Sequence, residues 1–261
     1  MALVSIITIV KDNEIGLGRT FSSLSMQTSL NWEMLIVIAP SIDNSIELAK
    51  KLSDENDNVH VIQQQNYGIF SAMNEGLDHA NGEFVWFMNS GDVFAGPQVL
   101  ELATEEIERQ SVGVVIGAYQ ITHNDAIHKF IFRRNKITLL RFAFTRRGGC
   151  HQAMIFRTDY IKEVGGFNLQ YKFNSDFLLV LKVIEMGGGQ RVSEVYADVE
   201  PGGWADQNIY AVHNEKHEIR ALFFDHRLVF FLSKSWTFAA RTKIQFRTVI
   251  REICSKYKSS G

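Results

Sequence analysis

A short polar run, Asn89-Ser90-Gly91-Asp92, directly follows an apolar stretch that predicts a strand over Glu83–Met88. A carboxylate at the end of a strand can bind a hard cation such as Mg²⁺ or Mn²⁺, and the cation can in turn bind a diphosphate. The same residue types are also the common formers of turns. The run is therefore consistent with a metal site that uses Asp92 and with an ordinary turn.

Two further side chains could do chemistry at predicted element boundaries. Asp176 lies at the start of a helix predicted over Phe177–Glu185, where it could act as a general base in a cleft or simply cap the helix. His151 follows a glycine pair and precedes a strand predicted over Ala153–Phe156. Its imidazole could contact a phosphate or a metal, or could be an ordinary hydrogen-bonded structural group.

The first third of the chain alternates apolar strand patterns with helical patterns, which is typical of a parallel sheet with crossover helices. In such sheets ligands bind beyond the carboxyl ends of the strands, and polar residues cluster at three of those ends. We therefore expect a small-molecule site there. The predicted strands are Val4–Val10, Met34–Ile38, Val59–Ile62 and Glu83–Met88, and the polar ends are Lys11–Asn13, Ser41–Asp43 and Asn89–Asp92.

The rest of the chain is less regular. Strands are predicted over Val112–Ile121 and Ala126–Phe132, and Gly187-Gly188-Gly189 should end the helix that begins at Phe177. From His217 onward, apolar and basic residues alternate at helical spacing. We predict a catalytic domain over residues 1–214 and a basic amphipathic helical segment over residues 215–261.

Composition excludes several classes of protein. Of 261 residues, 46% are hydrophobic and 21% are charged, which is a globular balance and not that of a disordered chain. The net charge of −2 argues against a nucleic-acid partner, and two cysteines make neither a disulfide framework nor a zinc set. The start of the chain has no charged region before its apolar run, and no apolar run approaches the ~20 residues that span a membrane. These features predict a cytoplasmic protein.

The C-terminal segment carries ten Lys/Arg against four Asp/Glu over residues 215–261. A basic amphipathic helix of this kind can lie on an anionic membrane surface. The same pattern fits a helix that packs its aromatic residues on the catalytic domain or on a second subunit. All three interpretations remain open from sequence.

Familiar nucleotide-binding and hydrolase motifs are absent from the sequence. No Gly-x-Gly-x-x-Gly follows the first predicted strand, no Gly-Lys-Ser/Thr loop occurs, and there is no Gly-x-Ser-x-Gly elbow. Their absence argues against dinucleotide-dependent enzymes, P-loop proteins and serine hydrolases of the elbow type.

Taken together, the motifs resemble those of family-2 glycosyltransferases with the GT-A fold, over about residues 3–205. The similarity is greatest to bacterial enzymes that build colanic acid and other surface polysaccharides. It rests on the order of the following segments: Asn66–Gly76, Ala80–Phe84, Phe87–Asp92, His151–Met154, Gly165–Asn168 and Asn174–Asp176.

The resemblance implies an α/β fold in which helices flank a mostly parallel sheet, with a C-terminal helical appendage. It also implies an inverting, metal-dependent transfer from a nucleotide-diphosphate sugar to the hydroxyl of a saccharide acceptor, which can be lipid-linked. Asp176 matches the catalytic base, Asp92 the ligand of Mg²⁺ or Mn²⁺, and His151 an acceptor or phosphate contact. The segments that match the nucleotide-sugar site contribute Ile9, Lys11, Asp12, Tyr67, Gly68, Ala72, Asn74 and Asn89. A peripheral contact with the inner face of the cytoplasmic membrane and a homo-oligomer are compatible with this picture.

Three positions depart from the family pattern. Ile38 stands where an aspartate usually reads the uracil ring, Lys11 where an aromatic is expected, and Gly91 where many relatives carry a second aspartate. These departures keep a second hypothesis open, a catalytically degenerate protein that binds or assembles around nucleotide sugars. Asp176 argues against it, because a binder has no use for a base.

A nucleotidyltransferase with a similar sheet is a third hypothesis. Such an enzyme would need a glycine-rich basic loop after the first strand, and residues 11–20 do not supply one. The chain also lacks the Gln-x-x-Arg-Trp sequence of processive synthases, which favours an enzyme that adds a single sugar.

Overall fold

The computed structural model describes residues 3–123, 126–145, 149–201, 208–225 and 229. The chain divides into two compact units, residues 1–209 and residues 210–261. The described part of the first unit contains a ten-stranded sheet with helices beside it. The α/β fold predicted from the sequence is confirmed.

The elements of the first unit follow the predicted order closely as far as β4. The strands are β1 (Val4–Val10), β2 (Trp32–Ile38), β3 (Val59–Gln63), β4 (Phe84–Phe87), β5 (Val93–Phe94), β6 (Val114–His123), β7 (Ala126–Phe130), β8 (Asn135–Ile137), β9 (Met154–Arg157) and β10 (Gly189–Asp198). The helices are α1 (Glu14–Ser25), α2 (Ser45–Glu55), α3 (Ile69–His79), α4 (Val99–Gln110), α5 (Leu139–Ala143), α6 (Thr158–Glu163) and α7 (Ser175–Gly187), with a 3₁₀ turn at His151–Ala153.

The strand order is β3-β2-β1-β4-β9-β6-β10-β5, with β7 beside β6 and β8 beside β10. Strands β3, β2, β1 and β4 are parallel to one another, as the sequence predicts. Strand β9 runs antiparallel to both β4 and β6, so the sheet as a whole is mixed. This reversal matters for the site, because it places the beginning of β9 beside the carboxyl end of β4.

The core lies on both faces of the parallel strands. Ile6, Met34 and Trp86 are fully buried, and so are their neighbours Ile7, Leu35 and Phe87, which point to the opposite face. Strands covered by helices on both faces show continuous apolar runs of this kind. Burying one such side chain contributes about 1.5–3 kcal/mol, so these strands form a rigid base for the loops at their ends.

The predicted end of the helix that begins near Phe177 is confirmed. Helix α7 ends at Gly187, and Gly188 follows with φ +72, a conformation that favours glycine. In the second unit, helix α8 spans Ile209–Phe223. Most of the basic segment predicted from His217 onward lies outside the described residues. None of the helices in the described part of the chain combines the length and apolar character needed to cross a bilayer.

Candidate functional site

Four segments meet at the carboxyl edge of the parallel strands. The loop Asn89–Asp92 follows β4, and the 3₁₀ turn that begins at His151 precedes the antiparallel β9. Strand β5, just after this loop, pairs with the end of β10 through Val93 and Asp198, which brings Glu200 to the same place. Asp176, in the first turn of α7, is linked to the group through His151.

The loop after β4 is held by the start of α1. Asn13 Nδ2 donates to the Ser90 carbonyl at 3.1 Å, and Ser90 Oγ donates back to the Asn13 carbonyl at 3.1 Å. The buried Thr20 hydroxyl accepts from the Gly91 N–H at 3.0 Å and lies 2.8 Å from the Asp92 carbonyl. The sequence analysis did not single out Asn13 or Thr20, although Asn13 lies in the polar run after β1. Together they give the loop a fixed shape.

Asp92 connects this loop to two distant segments. Its side chain lies inside the protein, with only 4% of the residue exposed. Oδ1 accepts from the Glu200 N–H at 2.9 Å, and Oδ2 accepts from Gln152 Nε2 at 3.0 Å. Burial disfavours the charged form and raises the pKa of Asp92 to about 6, although both hydrogen bonds act to lower it. Gln152 and Glu200 were not predicted as site residues.

His151 links the loop to Asp176. Its Nδ1 lies 3.5 Å from Asp176 Oδ2, and its Nε2 lies 3.4 Å from Asn89 Nδ2. Asn174 occupies the N-cap position of α7, so Asp176 lies within the first helical turn and is not the cap. Its side chain is one-third exposed, which leaves it accessible to a reactant.

The residues predicted in the first nucleotide loop lie at the end of β1. Ile9 is half-buried in the strand, whereas Lys11 and Asp12 are exposed. Asp12 has φ +48, and its Oδ1 accepts from the Ile42 N–H at 2.7 Å while its own N–H donates to Ser41 Oγ at 3.1 Å. Asp12 therefore joins the loops after β1 and β2.

Tyr67 and Gly68 lie at the start of α3. Tyr67 is 98% exposed, and Gly68 is the N-cap with φ +121, where a side chain would be strained. The exposed ring stands next to the carboxyl end of β3. This position makes Tyr67 accessible to a ligand that lies across the strand ends.

Ala72 and Asn74 are placed differently from what their assignment to the nucleotide-sugar site implies. Ala72 is 2% exposed. Asn74 Nδ2 donates to the Phe167 carbonyl at 2.8 Å, and its Oδ1 accepts from the Phe167 N–H at 2.8 Å. Gly166, with φ +65, is close enough that a Cβ there would lie 2.6 Å from Asn74 Oδ1. Both polar atoms of Asn74 thus serve the chain segment before α7.

The loop after β4 has features that suit a hard cation. Within the described ranges, no group of three or more His, Cys, Asp or Glu side chains is arranged to hold a metal. However, Asn89 Oδ1 is buried without a hydrogen-bond partner, and the Glu200 carboxylate lies against Gly91. Mg²⁺ commonly uses one or two carboxylates and takes its other ligands from substrate phosphates and water. The residues present fit that kind of site.

Comparison with known proteins places these features in one family. The model of the family described as "Glycosyl transferase family 2" matches residues 5–165. An uncharacterised glycosyltransferase of Mycobacterium tuberculosis is 26% identical over 181 residues, which cover 69% of this chain and 68% of the relative. The Escherichia coli enzyme WfgD, described as a UDP-Glc:α-D-GlcNAc-diphosphoundecaprenol β-1,3-glucosyltransferase, is 26% identical over 183 residues, 70% of each chain.

Solved structures share the fold at lower identity. Staphylococcus aureus TarS 1–349 in complex with UDP has a TM-score of 0.69 and 20% identity, over 87% of this chain and 68% of that chain. The mannosyltransferase PcManGT from Pyrobaculum calidifontis, in complex with GDP-Man and Mn²⁺, has a TM-score of 0.58 and 14% identity, over 80% of this chain and 60% of that one. The GT-A fold expected from the motifs is confirmed.

Proposed function

The chain belongs to glycosyl transferase family 2, and from that membership we propose that it moves a sugar from a nucleotide-diphosphate donor to an acceptor hydroxyl with inversion at the anomeric carbon. The observation that carries the proposal is the accessible carboxylate of Asp176, 3.5 Å from His151. His151 in turn contacts Asn89 at the end of β4, where the donor should lie. The biological setting we propose is bacterial surface polysaccharide synthesis.

Asp176 is proposed as the general base. It accepts the proton of the acceptor hydroxyl while that oxygen forms a bond to the anomeric carbon. The bond from the anomeric carbon to the diphosphate oxygen breaks on the opposite face, and the nucleoside diphosphate leaves with the bonding electrons. A positioned base of this kind contributes typically about 10²–10⁴-fold to a rate. His151 orients the carboxylate and lies on the acceptor side.

The donor is proposed to lie across the loops that end β1, β3 and β4. Ile9, Lys11 and Asp12 border it on one side, Tyr67 and Gly68 on another, and Asn89 at the sugar end. Ala72 and Asn74 support this site from within by holding α3 and the segment around Phe167. TarS has been crystallised with UDP and with UDP-GlcNAc, which supports a uridine nucleotide as the first donor class to test.

A divalent cation, Mg²⁺ or Mn²⁺, is proposed at the loop after β4, in line with the Mn²⁺ named for PcManGT. The carboxylate that the resemblance assigns to this role is that of Asp92, with phosphate oxygens and water completing the coordination. When bound, the cation offsets the negative charge that develops on the diphosphate leaving group. Asn13 and Thr20 keep the loop in the shape that this role requires.

The acceptor is proposed to be a lipid-linked saccharide, because the printed name of WfgD specifies a sugar on diphosphoundecaprenol. The excess of basic residues in the segment 215–261 supports a peripheral contact with an anionic cytoplasmic membrane. Such a contact would bring the site to an acceptor anchored in the bilayer.

The test is direct product analysis. The full chain is incubated with Mn²⁺, a panel of UDP-, GDP-, CDP- and dTDP-sugars, and a short-chain GlcNAc-diphosphate lipid. We expect release of a nucleoside diphosphate and an acceptor heavier by one sugar, whose anomeric configuration by NMR is opposite to that of the donor. Retention of configuration would contradict the proposed mechanism. A parallel incubation with nucleoside triphosphates and a sugar phosphate tests for a nucleotidyltransferase, which would release pyrophosphate. Nucleotide binding without any product in either incubation would favour the degenerate binder.

A further inference from the structure

Residue 91, in the loop after β4 where the donor diphosphate is proposed to lie, lacks a side chain. Gly91 has φ +104, in the region that favours glycine, and it lies between Ser90 and the buried Asp92. A Cβ built at this position would lie 2.2 Å from Glu200 Oε2, far inside van der Waals contact. The carboxylate of Glu200 therefore fills the space that a side chain at residue 91 would occupy.

The position of that oxygen has chemical meaning. The distance of 2.2 Å from the ideal Cβ is comparable to the distance between the Cβ of an aspartate and its own carboxylate oxygens, which are two bonds away. The Glu200 carboxylate, which follows the end of β10, therefore lies directly beside residue 91, in the space that an aspartate side chain there would need.

The backbone of Glu200 is fixed in this place by buried contacts. Its N–H donates to Asp92 Oδ1 at 2.9 Å, and the preceding Val199 N–H donates to the Gln120 carbonyl at 2.9 Å. The other oxygen of Asp92 accepts from Gln152. Both carboxylate oxygens of Asp92 therefore accept hydrogen bonds from groups of the protein. In contrast, 48% of the Glu200 side chain is accessible to solvent.

The accessible carboxylate is not locked by its ion pair. Arg19 lies 3.5 Å from Glu200 Oε1, but both side chains are about half exposed, and exposed pairs of this kind contribute little. In the loop after β4, Asn89 Oδ1 is a further oxygen that is buried without a hydrogen-bond partner. Carboxylate and amide oxygens are the ligands that hard cations take.

From this geometry we propose that Glu200 is the principal protein carboxylate for the divalent cation that accompanies the donor diphosphate, replacing a side chain that Gly91 cannot supply. The inference rests on the proposed function. Since the described residues offer no cluster of three ligating side chains, the diphosphate must complete the coordination. The metal should therefore bind tightly only together with a nucleotide.

The experiment measures nucleoside diphosphate binding to the full chain by calorimetry, with and without Mn²⁺, for the wild type, Glu200→Gln and Glu83→Gln. Glu83 is an exposed control that pairs with Arg157 at the opposite end of β4. We expect Mn²⁺ to tighten binding in the wild type and in Glu83→Gln. Glu200→Gln should lose about tenfold or more of that gain, the loss typical of a disturbed metal site, while its metal-free binding and melting temperature stay unchanged.

Electron paramagnetic resonance of Mn²⁺ provides a second readout, because bound Mn²⁺ loses its free-ion signal. If Mn²⁺ tightens nucleotide binding in Glu200→Gln as much as in the wild type, the inference about Glu200 is overturned and the proposed function still stands. The same conclusion follows if the wild type binds a nucleoside diphosphate equally well with and without Mn²⁺. A wild type that binds none of UDP, GDP, CDP and dTDP under either condition would overturn the proposed function itself.

Discussion

The imidazole of His151 lies between the amide of Asn89 and the carboxylate of Asp176, with Nε2 3.4 Å from Asn89 Nδ2 and Nδ1 3.5 Å from Asp176 Oδ2. His151 therefore links the end of β4 to the carboxylate that is proposed as the base. These two contacts of His151 depend on the antiparallel strand β9, which brings residue 151 beside residue 89.

Replacing His151 should reduce the rate without reducing donor affinity. His151 Nδ1 lies 3.5 Å from Asp176 Oδ2. A change of about 1.4 kcal/mol in the activation barrier is tenfold in rate, so we expect His151→Ala to lower kcat by roughly tenfold with KM for the donor unchanged. His151→Asn should recover part of the loss, because its amide can still donate to Asp176. His128→Ala, on the exposed strand β7, is the control. A parallel rise in donor KM would show that His151 binds donor and does not orient the base.

Asn74 should be a stability residue. Its substitution by Ala leaves the Phe167 N–H and carbonyl without their partners, and each unsatisfied buried group costs about 1–3 kcal/mol. In urea titrations we expect Asn74→Ala to lower the free energy of unfolding by about 1–3 kcal/mol or more. Asp78→Ala, at an exposed position of the same helix, should have little effect. An Asn74→Ala protein as stable as the wild type but unable to bind nucleotide would instead place Asn74 in contact with the donor.

Glu33 should make the protein less stable in acid. Burial acts to raise its pKa, but hydrogen bonds from Ser5 Oγ, from the Asn81 N–H and from the Asn81 side chain outweigh burial and lower it below 4.5. A lowered pKa in the folded state gives stability that is present above the unfolded value and is lost as pH falls through the folded value. Glu33→Gln should therefore be less stable than the wild type at pH 7, and this difference should shrink below about pH 4.5.

Urea titrations at several pH values measure this effect, and Glu55→Gln is a control with an exposed carboxylate. A difference between the Glu33 variant and the wild type that stays constant from pH 7 to pH 3 would contradict the assignment.

The basic segment should bind anionic vesicles. We expect the full chain to sediment with vesicles that contain phosphatidylglycerol and to remain in solution with pure phosphatidylcholine, with binding lost at high salt because surface charge is screened. Replacing Arg241, Lys243, Arg247 and Arg251 by Gln should weaken binding to the vesicles, while the affinity for a nucleoside diphosphate stays unchanged. Equal binding to both kinds of vesicle would argue against electrostatic attachment.

The parallel half of the sheet could be predicted well from sequence, because each strand there is a continuous apolar run followed by polar residues. Strand β1 was predicted over the observed residues, and β3 within one residue of its end. Strand β10 was not predicted. It begins at Gly189 and includes Arg191 and Glu194, and its position is decided by pairing with β6.

The candidate site could be predicted less completely, because some of its residues are brought together by contacts between distant parts of the sequence. Asp92, His151 and Asp176 lie in recognisable local patterns. In the structure His151 lies 3.5 Å from Asp176, and its neighbour Gln152 donates to Asp92. The roles of Gln152 and Glu200 depend on contacts across 60 and 108 residues of sequence, which no local pattern encodes. The inward direction of the Asp92 carboxylate follows from those same long-range contacts.

The central claim is that Asp176 is the base of an inverting sugar transfer. The most direct test compares sugar transfer and nucleoside diphosphate binding in the wild type and in Asp176→Asn, with Asp159→Asn, an exposed residue of α6, as the control. We expect a loss of transfer of about 10²–10⁴-fold in Asp176→Asn, with nucleotide affinity and melting temperature unchanged. Transfer at the wild-type rate in Asp176→Asn would show that another group is the base.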